Sequence, residues 1–274
     1  MRRRDFLTVA SAYSLALSLG AQAAPVARVS RKKGLGLAMQ KNAAWRGKLQ
    51  ALKPAWVYNW GGARPEGLPP EVAFTPMVWG YWGQEAGLAK LGEKAKLAGQ
   101  TELLGFNEPD GKDQANLSVE KALAAWPALM KTGLRLGSPA CVHPDKEWMQ
   151  AFMKGVEERN LRVDFICMHS YAGPDADGLV NRIQATSKAF GGRPVWLTEF
   201  GVGDWSAKTP EQNRFRPEQV LAFMRKVMPK LEALACLERH AWYPADQSYA
   251  ALSSSALLDA AGNPTPLGEC FRTF

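Results

Sequence analysis

The 274-residue sequence is poor in residues that bind metal ions, with four cysteines and three histidines. The cysteines form no C-x-x-C pair and the histidines form no H-x-x-x-H pair; they are Cys141, Cys167, Cys236, Cys270, His143, His169 and His240. Zinc sites commonly use such short spacings, so we expect no metal ion. A glycine-rich phosphate loop is also missing, which disfavours a nucleotide-dependent enzyme, and no cofactor is expected.

The same cysteines leave two interpretations open. An oxidising compartment would allow disulfides, with several pairings among the four thiols. Cys167, however, lies in an apolar run and has the surroundings of a core residue. Free, partly buried thiols are therefore the favoured interpretation.

Low-complexity segments and clustered charge are scarce as well. The composition is 46% apolar, 22% charged and 10% aromatic, which excludes a disordered chain, a collagen helix and a coiled coil. The formal net charge is +8, but the basic residues are scattered apart from those at 28–33. No basic stripe alternates with aromatic residues, so we expect no nucleic-acid partner.

The first 23 residues have the pattern of an export signal. An arginine run at 2–4 precedes Phe6 and an uncharged apolar stretch at 7–19, and Ala21 and Ala23 offer small residues for cleavage. We predict a twin-arginine-type signal peptide, export to the periplasm or the cell exterior, and a mature domain at 24–274. A membrane anchor is the alternative, but the stretch is shorter than the ~20 residues of a spanning helix, and no stable insertion is expected after cleavage.

The rest of the chain alternates short apolar runs with helical stretches. Eight runs are typical of strands, at 34–39, 56–60, 74–79, 103–107, 134–138, 165–169, 195–199 and 239–243. Helical periodicity lies at 43–52, 84–98, 119–132, 147–159, 179–190 and 217–234, with Ser118 as an N-cap. This α/β alternation predicts a single (β/α)8 TIM barrel of parallel strands. Residues 61–72 hold three prolines and three glycines, so one helix is shortened or missing after strand 2.

Two of the predicted strands end in a glutamate. Glu108 follows the fourth strand and Glu199 ends the seventh, and catalytic groups of this fold lie at those strand ends. Two carboxyl groups facing each other across a barrel mouth meet the requirement for glycoside hydrolysis. The purely structural alternative is that each glutamate caps a turn or pairs with an arginine such as Arg64.

The motifs Asn107-Glu108-Pro109 and Thr198-Glu199-Phe200-Gly201 resemble those of the retaining (β/α)8 glycoside hydrolases with acids on strands four and seven. From about residue 33 to 274 the chain is similar to the catalytic domains of glycoside hydrolase family 128. The segments that carry this resemblance are 33–36, 57–60, 75–80, 104–110, 137–140, 163–166 with His169 and Tyr171, 196–201 and 257–268.

The resemblance implies endo cleavage of β-1,3-glucan with retention of configuration through a covalent glycosyl-enzyme. Glu108 would be the general acid/base and Glu199 the nucleophile. Asn107 would bind the 2-hydroxyl of the reacting sugar, and Tyr171 could donate a hydrogen bond to Glu199. The family often carries a tryptophan between His169 and Tyr171, where this chain has Ser170.

The ten tryptophans divide into two predicted groups. Those inside predicted elements are expected in the core: Trp45, Trp126, Trp148 and Trp196. Aromatic residues at or beyond strand ends suit a sugar groove, and about half of them are expected to contact ligand: Trp60, Trp79, Trp82, Trp205, Trp242, Tyr58, Tyr81 and Tyr243. The predicted substrate-binding set is Asn107, Asn59, Trp60, Trp79, Tyr81, His169, Tyr171, Trp205 and Trp242, with Gln247 as a further hydroxyl contact.

Two other functions stay open at this point. A degenerate barrel could bind carbohydrate without cutting it, although a binding protein has no need of two facing carboxylates. A hydrolase or transglycosylase of the same clan could act on another β-glycan, such as a mannan, a xylan or a mixed-linkage glucan. The expected partner is a β-glucan polysaccharide or oligosaccharide, and the protein is expected to be a monomer.

Overall fold

A computed structural model describes residues 30–39, 44–247 and 249–274. The signal peptide predicted at 1–23 lies outside these residues, as do the first positions of the predicted mature domain. Within the described ranges, no helix has both the length and the apolar character needed to cross a membrane.

The described residues form eight strands and seven α-helices. The strands are β1 (Lys33–Gly36), β2 (Trp56–Tyr58), β3 (Ala73–Phe74), β4 (Glu102–Leu103), β5 (Arg135–Leu136), β6 (Ile166–Ala172), β7 (Val195–Val202) and β8 (Leu237–Trp242). The helices are α1 (Trp45–Leu52), α2 (Glu85–Leu97), α3 (Val119–Met130), α4 (Glu147–Glu158), α5 (Ala176–Ala189), α6 (Pro217–Ala233) and α7 (Pro266–Thr273).

Parallel pairing connects all eight strands. Six of them form one sheet in the order β3-β2-β1-β8-β7-β6, and β4 pairs with β5. Isolated parallel bridges join the two sheets, from Met77 to Leu104 on one side and from Gly137 to Phe165 on the other. The strands therefore follow one another in chain order with β8 beside β1, and the α/β prediction with parallel strands is confirmed.

The connection between β2 and β3 contains turns and no helix, as the prolines and glycines of this segment predict. Arg64 holds the connection together, because its guanidinium donates hydrogen bonds to the backbone carbonyls of Leu68, Pro69 and Val72. It is therefore a loop residue and not the partner of a strand-end glutamate.

Two helix starts illustrate local capping. The predicted N-cap of α3 is confirmed, since the Ser118 hydroxyl accepts a hydrogen bond from the Lys121 amide at 3.3 Å. The sequence prediction did not include α7, which begins at Pro266. The Thr265 side chain caps it by accepting from the Gly268 amide at 3.1 Å, and proline suits the first helical position.

The barrel interior is filled with aromatic side chains, which form a cluster separate from the shell between strands and helices. Trp56, Phe165 and Trp196 pack together at the end of the barrel where the strands begin. The guanidinium of Arg239 lies 4.3 Å from the Trp196 ring centre and 5.3 Å from that of Trp56. The opposite end, where the strands finish, is the one that carries the candidate site.

The prediction that Trp242 contacts the sugar is wrong. Successive residues of a strand face opposite sides of a sheet, and Ala241 faces the barrel interior. Trp242 consequently points outward into the shell beneath α6, where it packs against Phe200 and Phe223 and is fully buried. Its indole N–H donates to the Ser255 carbonyl at 2.8 Å. It has no surface left for a ligand.

Candidate active site

Glu199 is a buried carboxylate held by three hydrogen-bond donors. Its Oε1 accepts from the Tyr58 hydroxyl at 2.8 Å and from the Trp60 indole N–H at 2.9 Å. Its Oε2 accepts from the Tyr171 hydroxyl at 2.5 Å, as the sequence analysis proposed. Hydrogen bonds to the charged form favour a carboxylate over a carboxylic acid. The surroundings of Glu199 are therefore arranged around a negative charge.

Both tyrosine hydroxyls that bind Glu199 remain protonated. Burial and the neighbouring charge of Glu199 raise the pKa values of Tyr58 and Tyr171 well above the ordinary value for tyrosine. Each hydroxyl can thus act as a donor throughout the neutral pH range.

Glu108 follows β4 in a strained backbone conformation. Its φ is +41°, in the left-handed region that side chains other than glycine rarely adopt. Its amide donates to the Ala140 carbonyl at 2.7 Å, which fixes the turn beside β5. Such strain persists where the surrounding structure over-determines the conformation, as it does at many functional sites. The turn aims the Glu108 carboxyl at β6.

His169, on β6, lies between the two glutamates. Its Nδ1 is 2.7 Å from Glu108 Oε1, and its Nε2 is 3.6 Å from Glu199 Oε1 with no hydrogen-bond partner. Burial by itself lowers the pKa of this imidazole, but the charge of Glu199 and the hydrogen bond to Glu108 outweigh it, so the pKa is raised. One oxygen of each carboxyl group and one ring nitrogen lie within 4.8 Å of one another.

This cluster has the donor types of a metal site, but the atoms around it suit an anion. The indole N–H of Trp60 and the hydroxyls of Tyr58 and Tyr171 all point their protons at Glu199. An indole N–H has no acceptor lone pair and would be repelled by a cation bound there. Glu108, His169 and Glu199 are therefore better suited to proton transfer and charge stabilisation than to holding a metal.

A groove opens above the cluster. Nine candidate site residues from the sequence analysis line it: Trp60, Trp79, Asn107, Glu108, His169, Tyr171, Glu199, Trp205 and Tyr243. The structure places Asn59 and Tyr81 outside it. The Asn59 side chain accepts from the Gly61 amide at 3.1 Å, and the Tyr81 hydroxyl binds Glu85 at the start of α2. Gln247 is exposed and does not line the groove.

Asn107 offers an unused acceptor to this groove. Its amide nitrogen donates to Gln114 Oε1 at 3.0 Å, while its buried Oδ1 has no partner. A buried polar atom without a hydrogen bond is costly unless a ligand or water satisfies it. Asn107 is thus prepared to accept a hydrogen bond from a hydroxyl group.

Sequence reasoning missed Gln114 and Tyr249 as site residues, and it placed Tyr58 among the strand-end aromatic residues without predicting its hydrogen bond to Glu199. The bond from Tyr58 had a detectable signal, because Trp56 and Tyr58 are two residues apart on β2 and so share one face. A tyrosine on an interior face needs a partner for its hydroxyl, and the barrel mouth offers Glu199. Gln114 and Tyr249 lie in loops, where no periodicity identifies them.

Comparison with known proteins identifies the family. A family model described as the glycosyl hydrolase catalytic core matches residues 34–271. The chain is 27% identical over 225 residues to alkali-sensitive linkage protein 1 of Schizosaccharomyces pombe. That alignment covers 79% of this chain and 39% of the yeast protein, so the chain spans less than half of that relative.

Solved structures give the same assignment. One is a family 128 subgroup I endo-β-1,3-glucanase from Amycolatopsis mediterranei in complex with laminarihexaose. It has 32% identity and a TM-score of 0.73, covering 89% of this chain and 99% of the other. Another is a subgroup III curdlan-specific exo-β-1,3-glucanase from Blastomyces gilchristii, with 28% identity, a TM-score of 0.69 and 89% and 98% coverage. The chain therefore belongs to the glycosyl hydrolase catalytic core family, within glycoside hydrolase family 128, and is a glycoside hydrolase.

Proposed function

We propose that the protein is a retaining endo-β-1,3-glucanase in which Glu199 is the nucleophile and Glu108 the general acid/base. The observation that carries this assignment is the contrast between the two carboxyl groups. Glu199 accepts hydrogen bonds from three donors, whereas Glu108 is bonded to one imidazole nitrogen that can take or give a proton. The similarity to solved β-1,3-glucanases supports the substrate class.

The spacing of the carboxyl groups supports retention. Retaining glycosidases place them about 5–5.5 Å apart, while inverting enzymes need about 6.5–9.5 Å to admit a water molecule between them. Here an oxygen of Glu108 lies within 4.8 Å of an oxygen of Glu199. This short separation favours direct attack on the sugar by Glu199.

In the first step a Glu199 oxygen attacks the anomeric carbon from one side of the sugar ring. The bond from that carbon to the glycosidic oxygen breaks, and the leaving oxygen takes the proton of Glu108. The sugar is then an ester of Glu199, and Glu108 is ionised. Asn107 Oδ1 can accept a hydrogen bond from the 2-hydroxyl group as positive charge develops on the ring.

In the second step Glu108 takes a proton from a water molecule, and the resulting hydroxide attacks the anomeric carbon. The ester bond breaks, and Glu199 leaves as a carboxylate that Tyr58, Trp60 and Tyr171 stabilise. Glu108 is again protonated, and the product keeps its original configuration.

His169 shares a proton with Glu108 in this scheme. With the proton on the carboxyl group, neutral Nδ1 accepts the Glu108 O–H across 2.7 Å. With the proton on the ring, the pair is an ion pair of equal net charge. Because the pKa of His169 is raised, the imidazole keeps its proton to higher pH than an ordinary histidine would.

The test is hydrolysis of a linear β-1,3-glucan by the purified protein, with the anomers of the new reducing ends followed by NMR. We expect β-anomers first, internal cleavage with a mixture of oligosaccharide sizes, and loss of hydrolysis with retained glucan binding in Glu199→Gln. Early α-anomers would refute retention, and glucose released alone from chain ends would refute endo action. Cleavage of a mannan or xylan in preference would refute the substrate assignment.

Export remains a separate proposal that rests on the sequence of residues 1–23. We expect the exported protein to begin near residue 24, which N-terminal sequencing of protein recovered outside the cytoplasm would establish. Replacing Arg2 and Arg3 with lysine is expected to retain the protein in the cytoplasm, because the twin-arginine pair is the feature that the export pathway reads.

A further inference from the structure

Asn107 is fixed by its backbone, but its side-chain amide could adopt either of two orientations. The Asn107 amide donates to the Trp79 carbonyl at 2.9 Å, and the Asn107 carbonyl accepts from the Ala115 amide at 3.2 Å. These bonds determine where the side chain begins. A half-turn of the side-chain amide would exchange Oδ1 and Nδ2, and with them an acceptor and a donor. The orientation must therefore be selected by a contact of the side chain itself.

Gln114 makes that contact. Its Oε1 accepts a hydrogen bond from Asn107 Nδ2 at 3.0 Å, which leaves Oδ1 on the other side of the amide. This Oδ1 is buried and has no hydrogen-bond partner among the described residues. Both residues line the groove that contains Glu108 and Glu199. The bond to Gln114 therefore leaves an acceptor, and not a donor, available to a molecule in the groove.

The loop after β4 folds back so that Gln114 lies beside Asn107. The Gly111 amide donates to the Glu108 carbonyl at 2.9 Å, and the Gln114 amide donates to the Gly111 carbonyl at 3.2 Å. Gly111 is close to the Gln114 side chain, because an added Cβ at residue 111 would meet Gln114 Cγ at 3.1 Å. Since the next residue, Ala115, is bonded to the Asn107 backbone, the Gln114 side chain has a defined position.

The orientation of the Asn107 amide matters because positive charge develops on the reacting sugar. As the anomeric carbon becomes positive, the neighbouring 2-hydroxyl group becomes a better hydrogen-bond donor, so an acceptor binds it more strongly in the transition state. An amide NH2 group in the same place would donate to the hydroxyl oxygen and would bind it less strongly as the charge develops. Only interactions that strengthen in the transition state raise kcat.

We propose that Gln114 is a positioning residue that holds the Asn107 amide with Oδ1 toward the 2-hydroxyl group of the reacting sugar. The proposal rests on the proposed β-1,3-glucanase function and adds a residue that acts on the reaction through Asn107. Gln114 disfavours the reversed amide, in which Nδ2 would face the hydroxyl group. Its effect on the rate therefore requires a substrate that carries a 2-hydroxyl group.

The test compares two aryl β-1,3-gluco-oligosaccharides, one complete and one that lacks the 2-hydroxyl group on the sugar that bears the aryl group. Gln114→Met has about the same length as glutamine and lacks the acceptor. We expect it to lower kcat/KM for the complete substrate about threefold to tenfold, mainly through kcat. For the 2-deoxy substrate it should match the wild type, because the hydroxyl group that Asn107 would bind is absent.

Gln114→Glu should restore the effect of the 2-hydroxyl group. A carboxylate accepts hydrogen bonds and cannot donate them, so it holds the Asn107 amide in the same orientation. Any effect of the new charge on Glu108 applies to both substrates, so the ratio of their kcat/KM values should equal the wild-type ratio. Gln184→Met, at an exposed position on α5, is the control for loss of a glutamine and should match the wild type on both substrates.

Adding Gln114→Met to Asn107→Ala supplies a second measurement. Once the Asn107 amide is removed, the loss of Gln114 should cause no further fall in kcat/KM for the complete substrate. A further fall, an equal loss on both substrates, or no loss in Gln114→Met would overturn the positioning role and leave the glucanase function intact. If Gln114→Met does not fold, Gln114→Glu decides, and a ratio below that of the wild type overturns the role. A wild-type protein that cleaves neither β-1,3-glucan nor the complete substrate would overturn both proposals.

Discussion

At the scale of single residues, the site consists of Glu199, which accepts hydrogen bonds from three side chains, and the neighbouring hydrogen-bonded pair of Glu108 and His169. Tyr171→Phe removes one donor to Glu199 Oε2 and changes little else, because the ring keeps its contact with Trp205. A hydrogen bond to a charged group contributes about 1.5–3 kcal/mol, so we expect kcat/KM to fall about 10-fold to 100-fold. Steady-state hydrolysis of a short β-1,3-gluco-oligosaccharide would measure this.

Tyr81→Phe is the matched control, since its hydroxyl binds Glu85 outside the groove. It should keep the wild-type rate on the short substrate. A rate for Tyr171→Phe within a factor of about two of the wild type would show that Tyr58 and Trp60 suffice to hold Glu199.

His169→Asn tests the shared proton. Because the raised pKa of His169 keeps a proton on the pair above the ordinary histidine range, the alkaline limb of kcat/KM in the wild type should lie above pH 6.5. Asparagine can bond to Glu108 but cannot carry a proton, so the limb should move to lower pH. The pH dependence of kcat/KM for both proteins would measure this shift. An alkaline limb at the same pH in both proteins would show that His169 does not share the proton of Glu108.

The sequence was sufficient to predict that Glu108, Glu199 and Tyr171 meet at the barrel mouth, because each lies at the end of an apolar run. It was not sufficient for the bonds from Tyr58 and Trp60, since these cross from β2 to β7 and depend on how the ring closes. Trp242 was assigned wrongly because proximity to a strand end does not reveal which face of the strand a residue occupies.

At the scale of elements, helices were easier to predict than the central strands. The predicted third, fourth and fifth strands shrink to the two-residue elements β3, β4 and β5. Prolines 76, 109 and 139 lie within or just beyond those predicted runs, and proline cannot donate to a sheet ladder. The pairing continues there only as isolated bridges such as Asn107 to Ala140.

The cap of α3 gives a prediction at this scale. Ser118→Ala removes the acceptor of the Lys121 amide and should lower the free energy of unfolding by about 1 kcal/mol. Ser118→Asp, which keeps an acceptor, should unfold like the wild type. Urea denaturation of the three proteins would measure the difference, and equal midpoints for serine and alanine would refute the role of the cap.

At the scale of the whole molecule, the fully buried Lys33 links stability to pH. Its ammonium donates to the Phe271 carbonyl at 2.8 Å and lies 4.8 Å from that ring centre. Burial lowers its pKa to about 8 from 10.5. The unfolded chain therefore binds this proton more tightly than the folded chain does. This difference destabilises the fold fully below pH 8, and the destabilisation decreases as the pH rises toward 10.5.

Lys33→Met isolates this effect. We expect the unfolding free energy of the wild type, minus that of the variant, to rise by about 2 kcal/mol between pH 7.5 and 9.5. The subtraction cancels the buried thiols Cys141 and Cys167, whose raised pKa values destabilise both proteins as pH rises. A difference that does not change with pH would mean that Lys33 titrates normally in the folded protein.

Because the hydrogen-bond donors of Glu199 come from separate parts of the barrel, the geometry of the site depends on closure of the ring of strands. Its donors come from β2 and β6, and Tyr58 is 141 positions away from it along the chain. No half of the barrel contains Glu199 together with all three of its hydrogen-bond donors, so neither half alone forms the complete arrangement. Heating should abolish turnover at the same temperature at which the barrel opens, because an intermediate in which two neighbouring strands have separated no longer holds Glu199 in place.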